Sequence, residues 1–131
     1  MKLNYPKKEK LKSHITIASL FTEGKSVSKF PLRLVYVPMD ASEQSQPLKM
    51  GVSVSKRNFK RAVDRNYFKR VLRETYRLNQ ELLLQHLDRP YAIMFFYQTK
   101  DRLSFSEINE KTIQLFHKFI LAITNDSKES L

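Results

Sequence analysis

Apolar residues recur at every second position in two parts of the chain, and this period predicts β-strands. In residues 32–37 every second side chain is large and apolar, and Pro38 ends the run. Residues 40–47 are polar and predict a hairpin loop, and residues 50–54 then resume the alternation in a second strand. Residues 91–97 are almost continuously apolar and aromatic, which predicts a strand covered on both faces.

Two other segments show the spacing of amphipathic helices. Ser13 is a candidate N-cap for a short helix that ends near Gly24. Ser104 and Glu107 form a capping-box pattern ahead of a final helix, whose predicted buried stripe consists of Ile108, Phe116, Phe119, Ile120 and Ile123. With the long helix of the middle segment, the predicted order is helix, strand, strand, helix, strand, helix.

This order predicts an α+β sandwich in which helices pack on a small mixed sheet of three to four strands. A chain of 131 residues with 41% hydrophobic residues can bury one core, so we expect one domain. The predicted boundaries are a basic N-terminal arm at 1–12, which holds five lysines, a single domain at 13–125, and a C-terminal tail at 126–131.

The middle helix separates charged and apolar residues most sharply. At about 100° per residue, Arg65, Lys69, Arg73 and Arg77 fall on one arc together with Asn66 and Arg70. The opposite arc is predicted to dock on the sheet and contains Tyr67, Phe68, Val71, Leu72, Thr75, Leu78 and Leu82. Asp64 is expected to pair locally with Lys60 or Arg61.

The charge of the chain favours a polyanionic partner. The formal net charge is +11, and residues 56–77 hold nine Lys and Arg against two acidic residues. Like charges one turn apart destabilise an isolated helix. Binding to a phosphodiester backbone offsets this repulsion, because arginine forms bidentate hydrogen bonds with phosphate oxygens and each neutralised phosphate releases counterions. Structured RNA suits this arc best, because Asn66 can both donate to and accept from 2′-hydroxyls. A solvated helix face and an anionic membrane surface remain alternatives.

Composition gives little support to catalysis by the protein itself. Cysteine is absent, the acidic residues are scattered, and His14, His86 and His117 share no motif spacing, so no catalytic or metal-binding residue is proposed. With only Gly24 and Gly51, a glycine-rich phosphate loop is excluded. No apolar run approaches a membrane span or signal peptide, so we expect a cytoplasmic protein without a membrane or small-molecule partner.

Residues 48–73, which read LKMGVSVSKRNFKRAVDRNYFKRVLR, closely resemble the bacterial ribonuclease P protein family. In that family a strand ending G-x-S-V-S-K leads into a helix with A-V-x-R-N-x-x-K-R-x-x-R. The stretch IASLFTEGKSVSKFPLRLVYV is similar to the first helix, glycine turn and first strand of the family. The likeness covers roughly residues 11–123.

The resemblance implies a protein subunit that binds the catalytic ribonuclease P RNA and precursor tRNA, while RNA-bound Mg²⁺ cleaves the 5′ leader. The implied RNA-binding residues are Lys56, Arg57, Lys60, Arg61, Arg65, Asn66, Lys69, Arg70, Arg73 and Arg77. A leader cleft between the first helix and the sheet would be lined by Ile17, Phe21, Tyr36, Val52 and Val54. Tyr67 stands where the family usually has an arginine.

The resemblance also implies a left-handed strand–helix–strand crossover, as in the second domain of a ribosomal protein, against the generic right-handed rule. Two rival functions remain open from the residues alone. One is a generic RNA-binding module that does not require a leader, and the other is a nuclease that needs no RNA subunit.

Overall fold

The computed structural model describes residues 24–39 and 48–129, with side chains to residue 125. The elements are β1 (Lys25–Lys29), β2 (Leu32–Pro38), β3 (Leu48–Val54), α1 (Ala62–Leu84), β4 (Tyr91–Tyr97) and α2 (Phe105–Glu129). This confirms the predicted α+β class. The predicted first helix and the basic arm lie outside the described residues, and α2 continues past the domain end predicted at residue 125.

The four strands form one mixed sheet in the order β1-β2-β4-β3. β2 pairs antiparallel with both β1 and β4, and β3 pairs parallel with β4. The sequence predicted three to four strands, and β1 is the fourth. The predicted hairpin at residues 40–47 is wrong, because β4 lies between the two strands that this segment connects. The crossover from the parallel strand β3 through α1 to β4 is present. Its left-handedness stays a prediction.

Both helices pack on one face of the sheet and enclose the main core. Alternate residues of the strands enter this core, among them Leu34 and Phe95, and α1 contributes Leu72. The predicted buried stripe of α2 is confirmed, since all five of its residues are buried. The capping box is confirmed too: Ser104 Oγ accepts the Glu107 N–H at 3.2 Å, and Glu107 Oε1 accepts the Ser104 N–H at 3.2 Å.

The buried face of α1 is rotated from the predicted one. Tyr76 and Leu83 are buried although the prediction omitted them, whereas Tyr67 and Leu78, both predicted to dock, are exposed. The cause is that α1 packs on α2 as well as on the sheet. Tyr76 meets Phe116 of α2 edge-on at 6.4 Å, and Asn79 Nδ2 donates to Asn109 Oδ1 at 2.8 Å. The side of α1 that faces α2 is therefore buried, and the far side is left to solvent.

The opposite face of the sheet carries a second, smaller apolar cluster. Its buried residues are Val35, Val37 and Ala92, with Met94 and Phe96 partly buried beside them. β4 is thus apolar on both faces, as its sequence predicts. Within the described residues the cluster consists of strand residues and Met39 alone. The sheet consequently offers two chemically distinct faces.

Candidate nucleic-acid interface

The ten predicted RNA-binding residues form a contiguous basic segment, here called the cationic surface. It runs from Lys56 in the turn after β3 to Arg77, which lies in the fifth turn of α1. Seven of the ten are exposed, and three are partly buried: Arg65, Lys69 and Arg77. Since α1 buries its opposite side, the fold presents these charges without burying them. Their contact with RNA stays a prediction.

The turn that leads into α1 is held by backbone and side-chain hydrogen bonds. Ser55 accepts from the N–H groups of Asn58 and Phe59, at 3.2 and 3.1 Å. Arg65 Nη1 donates to the carbonyl oxygens of Phe59 and Lys60, both at 2.8 Å. Arg61, the N-cap residue, makes no capping hydrogen bond through its side chain. Arg65 therefore fixes the turn against the helix and has a structural contact in addition to any phosphate contact.

Asp64 pairs with a distant arginine, which corrects the expectation of a local partner. Arg102 Nη1 lies 3.1 Å from Asp64 Oδ1, across a separation of 38 residues. The Arg102 guanidinium also lies 5.3 Å from the ring centroid of Phe68. Asp64 sits in the first turn of α1, where a negative charge favours the helix dipole. Lys60 and Arg61 therefore keep their charges available for another anion.

Three stacked aromatic rings anchor the start of α1 on the sheet. Phe68 stacks on Phe59 at 4.7 Å and on Tyr97 at 4.6 Å between ring centroids. The Tyr97 hydroxyl donates to the Asp101 carbonyl and accepts the Leu103 N–H at 3.1 Å. Burial raises the pKa of Tyr97, although the hydrogen bond from Leu103 opposes the shift. The hydroxyl therefore stays protonated and joins the loop after β4 to this end of the sheet.

Arg77 is the member of the cationic surface whose charge is already matched. Its guanidinium forms an ion pair with Glu74 through two hydrogen bonds, and its side chain is only 16% exposed. The hydrogen bond to Arg77 lowers the pKa of Glu74, and the same contact raises the pKa of Arg77. Among the described residues, no carboxylate lies within ion-pair distance of Lys69, Arg70 or Arg73. Those three are the better candidates for phosphate contacts.

Tyr67 lies within the cationic surface and not in the core. Its side chain is 39% exposed, and the Arg70 guanidinium lies 5.8 Å from its ring centroid. One turn earlier, Val63 is exposed as well. The sequence prediction placed Tyr67 on the buried arc, so its availability to a ligand was missed.

The predicted leader-cleft residues do not share one accessible surface among the described residues. Ile17 and Phe21 lie outside the described part of the chain. Tyr36, Val52 and Val54 face the helices, and Tyr36 is only 4% exposed because its ring packs edge-on against Phe119 at 4.8 Å. Tyr36 and Val54 are therefore core residues here, which corrects their expected accessibility. Side chains alternate between the two faces along β2, so the sequence could have shown that Val35 and Val37 lie on the face opposite Tyr36.

The described residues contain no group of three or more His, Cys, Asp or Glu side chains arranged to hold a metal ion. His86 and His117 are exposed, and His86 Nδ1 lies 2.9 Å from the Leu82 carbonyl oxygen. Within the same residues, neither helix combines the length and apolar character that crossing a bilayer requires.

Comparison with known proteins agrees with this arrangement. The family model described as Ribonuclease P matches residues 5–120. The ribonuclease P protein component of Porphyromonas gingivalis is 38% identical over 110 residues, covering 82% of this chain and 80% of that protein. The corresponding protein of Chlorobium phaeobacteroides is 31% identical over 128 residues, covering 88% of each.

Two solved structures show the same fold. The RNase P protein of Staphylococcus aureus superposes with a TM-score of 0.67 at 21% identity, covering 83% of this chain and 93% of that one. The RNase P protein of Thermotoga maritima also gives 0.67, at 22% identity, covering 84% and 96%. Sheet, helices and basic turn thus define an α+β protein of the ribonuclease P type. The chain belongs to the ribonuclease P protein family, which confirms the resemblance seen in residues 48–73.

Proposed function

We propose that this chain is the protein subunit of a bacterial ribonuclease P and acts in the cytoplasm on precursor tRNA. Its cationic surface binds the catalytic RNA, and the complex removes the 5′ leader. The observation that carries the proposal is the row of Lys69, Arg70 and Arg73 along α1, which lacks carboxylate partners within the described residues. Membership of the ribonuclease P protein family supports the catalytic RNA as the polyanion in this proposal.

The chemistry of cleavage is assigned to the RNA subunit. Phosphodiester hydrolysis with Mg²⁺ needs hard oxygen ligands that hold the ion beside the scissile phosphate. The described residues offer no such cluster, and residues 56–77 hold nine Lys and Arg against two acidic residues. The protein's own task is to neutralise phosphates where the catalytic RNA and its substrate approach each other, which lowers the Mg²⁺ concentration needed.

For the leader, we propose contact with the second face of the sheet. This face combines apolar side chains, among them Phe96, with the exposed Arg33 and the partly exposed Lys49. Arg33 is the direct cross-strand neighbour of Phe96, so a cation and an aromatic ring lie side by side. Single-stranded nucleic acids bind to such combinations of stacking and charge. The contributions expected of Ile17 and Phe21 remain part of this proposal.

Reconstitution tests the proposed function. Precursor tRNA is incubated at low Mg²⁺ with the protein, with ribonuclease P RNA, and with both, and formation of the mature 5′ end is measured. We expect cleavage only in the complete mixture. Cleavage by the protein alone would establish the rival nuclease, and equal rates with and without protein would refute the subunit role.

A second comparison separates leader recognition from general RNA binding. Precursors with and without about five leader nucleotides are compared in the presence of the catalytic RNA, because a sheet-face contact adds free energy only when the leader is present. We expect Phe96→Ala to weaken binding of the leader-containing precursor alone. Equal affinity for both precursors in the unmodified protein would favour a generic RNA-binding module.

A further inference from the structure

Tyr67 and Val63 place apolar surface inside a region otherwise built for phosphate. Both lie on the solvent side of α1 one helical turn apart, and the Arg70 guanidinium lies 5.8 Å from the Tyr67 ring centroid. A phosphate contact gains nothing from an aromatic ring, and water does not favour its exposure. The face of this ring is therefore the feature that phosphate binding leaves unexplained.

The ring is held in a defined orientation. It meets Phe68 edge-on, with centroids 5.0 Å apart and planes at 87°. Phe68 is itself fixed by its stacks on Phe59 and Tyr97. Tyr67 therefore packs on a residue that the core holds in place, and this contact limits the rotamers of its ring and the entropy lost when a planar ligand stacks on it.

Arg70 completes the site. Its guanidinium lies 5.8 Å from the Tyr67 centroid and is exposed, as an approaching nucleotide requires. A guanidinium beside an aromatic ring can contact the phosphate or the edge of a base stacked on that ring. A ring with an adjacent cation is a combination that recognises unpaired nucleotides, whereas a regular RNA helix hides its base faces.

We infer that Tyr67 and Arg70 form a stacking site for one unpaired nucleobase of the RNA that the cationic surface binds. The inference rests on the proposed function, because it requires that RNA. It predicts that the contacted RNA is not a regular duplex at this point but a bulge, loop or strand junction that can present a base. The remaining cations of the surface contact the flanking phosphates.

The absence of tryptophan from the sequence allows a direct test. Tyr67→Trp introduces a single tryptophan at the site, which can be excited selectively over the tyrosines, and Phe105→Trp introduces one at a position with the same 39% exposure at the start of α2. Each variant is titrated with ribonuclease P RNA, and processing activity is measured in parallel. Stacking on a base quenches indole emission, so we expect strong quenching for Tyr67→Trp and little for Phe105→Trp.

Salt dependence supplies a second, independent readout. Tyr67→Leu should lower affinity for the RNA about tenfold while leaving the slope of log K against log salt unchanged, because stacking releases no counterions. Tyr67→Phe should restore most of the affinity, and Arg70→Ala should reduce the slope by about one. Phe105→Leu is the control and should change neither quantity.

Each outcome either supports or overturns the stacking site. An active, RNA-binding Tyr67→Trp variant whose emission is not quenched would overturn it and leave the proposed function standing. Equal affinities of the Leu and Phe variants would also overturn it. If the unmodified protein neither binds nor stimulates the RNA, the proposed function itself fails, which is a distinguishable result.

Discussion

The guanidinium of Arg102 lies 3.1 Å from the carboxylate of Asp64 and, at the same time, 5.3 Å from the ring of Phe68. One side chain from the loop between β4 and α2 thus contacts both the first turn of α1 and the aromatic stack beneath it. This contact neutralises the only acidic group in the first turn of the helix. Asp64 therefore does not pair with the cations next to it, and Arg77 is the member of the cationic surface that a carboxylate of α1, Glu74, neutralises.

Removing this contact should have a measurable but modest effect on stability. Arg102→Ala is expected to lower the free energy of unfolding by about 1 kcal/mol, because an exposed ion pair contributes little and the cation–π contact adds a comparable amount. Urea denaturation measures the change. The matched control is Arg89→Ala, which removes an exposed pair at 3.8 Å with Asp88 and should cost less. An effect of Arg102→Ala no larger than the control would contradict the role given to Arg102.

Arg73 and Arg77 should differ in their contributions to RNA binding although they lie one turn apart. Arg73 has no carboxylate within ion-pair distance among the described residues, whereas Arg77 is paired with Glu74. Arg73→Ala is therefore expected to reduce the slope of log K against log salt by about one. Arg77→Ala should change the slope less, because the Arg77 charge is already paired with Glu74 and is not expected to neutralise a phosphate. Identical slopes for the two variants would show that the Glu74 pair does not persist in the complex.

Tyr97 should make stability fall at alkaline pH. Burial raises its pKa in the folded protein above the ordinary value of 10.0, so the folded state holds the proton more tightly than the unfolded state. The resulting stabilisation is complete below pH 10.0 and is lost as the pH rises from there through the folded pKa. Denaturation between pH 8 and 11 should therefore show a loss in the unmodified protein that is smaller in Tyr97→Phe. Parallel pH profiles would contradict this assignment.

The sequence predicted what depends on local patterns. Alternation located β2 and β3, a continuous apolar run located β4, the capping box located the start of α2, and the basic motif located the turn before α1. These features depend on residues a few positions apart, where backbone geometry alone determines which side chains share a face. The cationic surface belongs to this group because its residues lie within one continuous stretch, 56–77, and its contact with RNA stays a prediction.

The errors arose where distant elements meet. The rotation of α1 that buries Tyr76 and exposes Tyr67 depends on α2 packing beside it, which no period within α1 reveals. The partner of Asp64 is 38 residues away and therefore lies beyond any helical spacing rule. Tyr36 was assigned to the cleft without knowing which face of the sheet the helices cover. Once the helix-covered face is known, the alternation of side chains along β2 places Val35 and Val37 on the other face of the sheet.

Tethered cleavage tests most directly whether α1 lies on the catalytic RNA. The sequence has no cysteine, so Ala62→Cys places a single thiol at the exposed start of α1, and Leu121→Cys places one on the exposed side of α2. Each thiol is linked to an iron chelate, and radical cleavage of bound ribonuclease P RNA is mapped. We predict strong, localised cleavage from position 62 and little from position 121. Cleavage from position 121 with none from position 62 would contradict the interface.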